Sequence, residues 1–145
     1  MTVTSIIHSR LRAWAAGSYP LEAAVELLVR AFGGRFANPA YPWIEHADSD
    51  RPWLNADTMT DNELAALSGG EQRLLRIVRS LAGGEPVRLD ENVPGLDRDR
   101  MHLVLAALAH ANGSYEHPGP MTFDDAGRPT GFGPPRGTLY PWPTP

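Results

Sequence analysis

The residues of this chain best placed for chemistry lie between positions 68 and 79. Ser68-Gly69-Gly70 stands at the head of an amphipathic run, where a helix start leaves backbone N–H groups open to an anion. Projected at 3.6 residues per turn, Leu74, Ile77, Val78 and Leu81 fall on one side. Arg73, Arg76 and Arg79 fall together on the other, a stripe suited to phosphate or an acidic surface. A solvated helix face accounts for the same pattern. In a second cluster, Glu45-His46-Ala47-Asp48-Ser49-Asp50 sets oxygen and nitrogen donors close enough to hold a hard cation, with His46, Asp48 and Asp50 as the candidate ligands. Its spacing matches no calcium loop, and a polar surface loop explains it equally. Asp99 and His102 are one helical turn apart. His110 lies about 12 Å further along the axis, too far to share a metal with His102. Asp99 and His102 would need His46 or His117 to complete a site. Serine is present, but no Gly-x-Ser-x-Gly elbow is.

Residues 67–97, LSGGEQRLLRIVRSLAGGEPVRLDENVPGLD, resemble the stretch of ABC-type ATPases from the LSGGQ signature to the D-loop. The resemblance implies a γ-phosphate contact at Ser68, Gly69 and Gly70. It further implies a magnesium-holding Asp90, a water-polarising Glu91 and a D-loop Asp97. The chain departs from that family in having no phosphate-cradling Gly-x-x-x-x-Gly-Lys-Ser/Thr and no buried apolar strand before Asp90. A Ser-x-x-Glu capping box explains the SGGE segment without nucleotide. The same helix, with its SGGE-R-LLR pattern and a GLD-capped helix after it, also resembles a group of small actinobacterial proteins. That resemblance implies an origin and no activity.

Composition narrows the classes. Cysteine is absent, which excludes disulfides, thiolate nucleophiles and cysteine-held metals. All 13 basic residues are arginine, so Schiff-base catalysis has no lysine to use. A formal charge of −4 disfavours a dedicated nucleic-acid binder. No run is long enough to span a bilayer, and the start, Met1 to His8, lacks the basic flank of a secretion signal. The expected location is the cytoplasm, with no cofactor.

The elements that must position these residues read as mainly α: a compact bundle of four to five helices over residues 1–113. Helices are expected over Thr4–Ala16 and from Pro20 to Phe32, with Glu22, Glu26 and Arg30 outward. Thr60 and Ser68 each open a capping box, and Asp97 caps a last, central helix ending before Gly113. Met101, Val104, Leu105 and Leu108 cover one side of it, while Leu103 and Ala107 lie on the other. Between the second helix and Thr60, residues 35–59 form a long irregular stretch carrying Tyr41, Trp43 and Trp53 beside prolines. Residues 114–145 hold eight prolines and five glycines, too many for a helix, and read as an arm with a small hairpin over 121–132. Tyr140 and Trp142 are its expected anchors, on this core or on a neighbour.

Two classes of function follow. The first is a non-enzymatic interaction or accessory module, meeting a protein partner or a second copy through the arm and the aromatic loop, since tryptophan and tyrosine most often anchor interfaces. The second is an anion- or nucleic-acid-contacting regulator of the kind mobile elements carry, using the arginine stripe. A metal-dependent enzyme at residues 46–50 is a third.

Overall fold

The computed structural model describes residues 2–145; Met1, where the opening segment begins, lies outside them. The fold is mainly α, with two small two-stranded sheets. Helix α1 spans Val3–Ala15, α2 Tyr19–Arg30, α4 Gly69–Leu81 and α6 Arg98–Asn112, while α3 (Asp61–Leu64) and α5 (Leu89–Asn92) are single turns. No helix among the described residues is long and apolar enough to cross a membrane.

Local chemistry sets most of the boundaries. Thr2, Ser18, Thr60, Ser68 and Asp97 each cap a helix, the side-chain oxygen accepting from a backbone N–H that the helix leaves unpaired. At α4 the capping box is complete. The Glu71 N–H donates to Ser68 Oγ at 3.3 Å, and the Ser68 N–H donates to Glu71 Oε1 at 3.0 Å.

The central helix is α2, which corrects the expectation for the last helix. Ala23, Ala24, Val25, Leu27, Leu28 and Val29 are all buried, because α1, α4 and α6 each pack on it. The α6 face turned inward draws on both of its apolar sides. Val104 and Ala107 are buried there, whereas Leu105 and Leu108 are 37% and 45% exposed. Alanines at 106 and 107 leave room for α2 to approach closely.

Helix α2 stops at Arg30, two residues before the expected end. Phe32, Gly33 and Gly34 then take three successive left-handed conformations (φ 52°, 66° and 79°). A non-glycine residue there costs about 1–2 kcal/mol. Gly34 is fixed by crowding as well, since a Cβ on it would sit 2.8 Å from Cε1 of His8.

Residues 35–59 pack over the core rather than away from it. Ile44–Glu45 (β1) and Trp53–Leu54 (β2) pair antiparallel, Ile44 opposite Leu54, and Met59 and Leu64 close the base. Farther on, Met121–Phe123 (β3) and Pro129–Phe132 (β4) form the expected hairpin around Asp124 to Gly127.

The polar centre of the body is Glu26. Arg12 donates to it from Nε and Nη2, both at 3.0 Å, and Arg30 donates from Nε at 2.8 Å. Burial alone would raise this carboxyl, but the two guanidinium groups outweigh it and hold its pKa below the ordinary value. A depressed carboxylate contributes stability that is complete above its unfolded pKa and is lost as pH falls through the lower folded one. Unfolding followed from pH 7 to pH 2 is therefore expected to show an acid limb beginning near 4.5, the ordinary value of a glutamate. Glu26→Gln is expected to flatten that limb and to cost about 1–3 kcal/mol at neutral pH.

Candidate functional site

Residues 114–145 return across the body and dock on it. Trp142 lies half-buried between two side chains. The Arg30 guanidinium carbon is 5.0 Å from its ring centroid, and the His110 ring is 6.3 Å away. Arg30 Nη1 also donates to the Pro143 carbonyl at 3.2 Å. The Tyr140 hydroxyl meets Nδ1 of His102. His110 is itself held, its Nε2 2.8 Å from Glu22, and Glu22 accepts the Gly17 N–H at 2.8 Å. Two elements thus hold the arm: α2 through Arg30, and α6 through His102 and His110. Tyr140 and Trp142 are committed to this chain's own core.

The docked arm leaves the hairpin exposed. All seven residues of β3 and β4 are exposed, and the extensive packing of each strand is with the other. Met121 stands opposite Phe132, and Phe123 follows opposite Pro129 after a register shift, so the three large apolar side chains are gathered on one small hairpin. They are 47%, 61% and 59% exposed respectively. Thr122 and Thr130 hydrogen-bond to one another through their hydroxyls at 2.8 Å. Asp124 closes the turn by accepting the N–H groups of Ala126 and Arg128, and Asp125 is exposed at the tip.

A cavity of about 790 Å³ lies beside the end of the arm, between α1, the left-handed turn and the first turns of α6. His8, Arg30, Phe32, Arg100, His102 and Pro143 are among the residues lining it. Nε2 of His8 and Nε of Arg100 are shielded from solvent without a hydrogen-bond partner. Burial, and then the Arg12 charge, lower the pKa of His8.

The aromatic loop is not an interaction surface at its centre. Trp43 is 1% exposed, donates its indole N–H to the Phe36 carbonyl at 2.9 Å and stacks on Tyr41 at 4.8 Å. Trp53 packs against Trp14 at 6.2 Å. The prolines and rings of this stretch serve packing, in which buried aromatic area outweighs the cost of ordering the loop.

The arginine stripe does not form. Arg79 is buried, donating to the Met59 carbonyl at 2.8 Å and to Asp61 at 3.1 Å, with Glu85 at 3.7 Å. Its neighbour on the helix surface is Leu75, also buried, so the apolar side is wider than projection assigned. Arg73 folds over the turn before α6; a Cβ on Gly95 would lie 2.2 Å from its Nε, so a larger residue there would displace the arginine side chain. Arg76 donates to Gln72 at 3.1 Å. The helix start at Ser68, Gly69 and Gly70 is already supplied with an anion, the Glu71 carboxylate, which Arg35 also pairs at 2.9 Å. That carboxylate has a lowered pKa, first because of the Ser68 backbone hydrogen bond.

Two further candidates come apart. Asp90 and Glu91, the magnesium and water positions that the ABC resemblance implies, stand exposed on the turn α5 and both pair with Arg88. His46 (φ 54°), Asp48 and Asp50 are exposed in a loop tied by backbone hydrogen bonds, and no group of three or more metal-ligating side chains forms among the described residues. Asp99 and His102 do share the cavity wall, but the histidine brought to them is His8, which no spacing rule could have indicated. Arg30 is the other residue missed: as the outward end of an ion-paired helix face it gave no sign of meeting a chain segment more than 110 residues away.

Trp142→Ala is expected to undock the arm while the helices persist. Limited proteolysis should then cut within residues 114–145 faster than in the parent chain, with circular dichroism of the body retained. Unchanged resistance would mean that Tyr140 and Pro143 suffice.

Comparison with protein-family models, with curated proteins and with solved structures gives no match to this chain.

Proposed function

We propose that this chain is a non-enzymatic interaction module whose helical body carries an arm that presents an apolar hairpin to a protein partner. The observation that carries this reading is the exposure of Met121, Phe123 and Phe132 together on one small hairpin whose seven strand residues are all exposed. A two-stranded hairpin is marginal in water, and large apolar groups left together on a surface mark a place meant to be covered.

Area decides between a second copy and a different protein. Three side chains offer a few hundred Å² at most. A stable interface between two rigid surfaces buries about 800 Å² on each. Self-association through this hairpin is therefore too small to hold. Insertion of the hairpin into a preformed apolar groove of another protein covers both its faces and is the better fit, with basic residues at the groove's end to meet Asp124 and Asp125. The absence of cysteine supports a cytoplasmic setting, and the resemblance of the SGGE and GLD segments to small actinobacterial proteins supports an origin there. A nucleic-acid contact has less support, since Arg79 is withdrawn into the core and the net charge is −4.

The test compares the chain with the double variant Phe123→Asp/Phe132→Asp in pull-downs from the native host, with light scattering of each purified form. One protein retained in stoichiometric amount by the parent chain, and lost by a variant of unchanged circular dichroism, is the expected result. A dimer abolished by the variant would replace the partner with a second copy. Equal capture by both forms would overturn the hairpin as the contact.

A further inference from the structure

We infer that the cavity beside the arm is a binding site for a small organic monoanion, a carboxylate or sulfonate carried on an aromatic or aliphatic body. The inference is independent of what the hairpin contacts.

Size sets the first limit. At about 790 Å³ the cavity falls within the range of small-molecule sites and far exceeds the space of an inorganic ion. Its walls set the second. Val29, Phe32, Leu103 and Pro143 give an apolar lining that matches a hydrocarbon or a ring.

Charge sets the third. The lining carries Arg30 and Arg100 against one carboxylate, Asp99, which is exposed at the rim. Glu26 and Asp97 stand beside these two cations, so the site can match a single anionic head at most, and a polyphosphate would lack countercharge and face Asp99. Arg30 already gives Nε to Glu26 and Nη1 to Pro143. Arg100 is less committed. Its Nη1 reaches Asp97 only at 3.5 Å, its guanidinium carbon lies 4.5 Å from the Phe32 ring centroid, and its Nε has no partner. His8 on the opposite helix adds Nε2, also shielded and unpartnered. Buried polar nitrogens are rarely left so, and a ligand that drew these two side chains toward the cavity would supply the missing acceptor.

Phe32 explains why the site has this form. Its left-handed backbone is sparsely populated by non-glycine residues, and strain of this kind concentrates at ligand sites. Here it sets the ring where the Arg100 guanidinium stacks on it, so the head-binding and body-binding parts of the lining adjoin.

The probe is 8-anilinonaphthalene-1-sulfonate, an aromatic monoanion whose fluorescence rises in apolar sites. The chain carrying Phe123→Asp/Phe132→Asp serves as background, so that the hairpin contributes no binding. The expected result is saturable binding that Arg100→Gln weakens by about tenfold. Leu103→Trp, which fills the cavity, should abolish it, and octanoate should displace the probe where inorganic phosphate does not. Circular dichroism confirms that each variant folds, and Leu103→Trp decides if Arg100→Gln does not. Absence of saturable binding, or binding that survives both substitutions, would overturn the site. Displacement by inorganic phosphate at the same concentration as octanoate would overturn the ligand class.

Discussion

One half-buried carboxylate connects the parts of this molecule. Glu26 stands on α2, the helix that the others surround, and takes three guanidinium hydrogen bonds from Arg12 and Arg30. An isolated charge so placed would be costly, and a partner on one side alone would leave its remaining lone pairs unmet. Arg12 fixes α1 against α2. Arg30, oriented by the same carboxylate, turns its remaining donors outward to Pro143 and its flat face to Trp142. The order of dependence thus runs from the core to the surface: apolar burial of α2 places Glu26, Glu26 orients Arg30, and Arg30 seats the arm.

The arm's position in turn sets what is exposed. With Tyr140 and Trp142 committed to the body, the hairpin is left exposed, and the last residues form one wall of the cavity. Two binding opportunities therefore share a single mechanical support. A ligand in the cavity would contact Arg30 and Pro143, the same pair that hold the arm, so occupancy and arm docking are thermodynamically coupled in whichever direction those contacts favour.

Much of the frame was legible because it rests on local chemistry. Thr60, Ser68 and Asp97 declare helix starts by their side-chain oxygens, and the turn at Asp124 to Gly127 declares the hairpin. What was not legible rests on contacts distant in sequence. Arg79 sits within an arginine spacing that reads as a solvated face; the Met59 carbonyl and the Asp61 carboxylate, both distant in sequence, make its burial tolerable. Trp43 and Trp142 are the same residue type beside prolines, yet one is enclosed with its N–H satisfied and the other rests half-exposed on a cation. The left-handed turn at Phe32 was hidden because Gly33-Gly34 marks a stop without saying that the residue before it also reverses. His8 and Arg100 came together only through the packing of α1 and α6 about α2, which no periodicity encodes.

The most direct test of this chain of dependence is a double-mutant cycle between Glu26→Gln and Trp142→Ala, read as unfolding free energies in denaturant. The two residues are joined through Arg30 rather than by a hydrogen bond of their own. If Glu26 orients the guanidinium that seats the arm, the two losses are not additive, and a coupling energy of about 0.5–1.5 kcal/mol is expected. Strict additivity would contradict the account, leaving the arm's seat independent of the half-buried carboxylate.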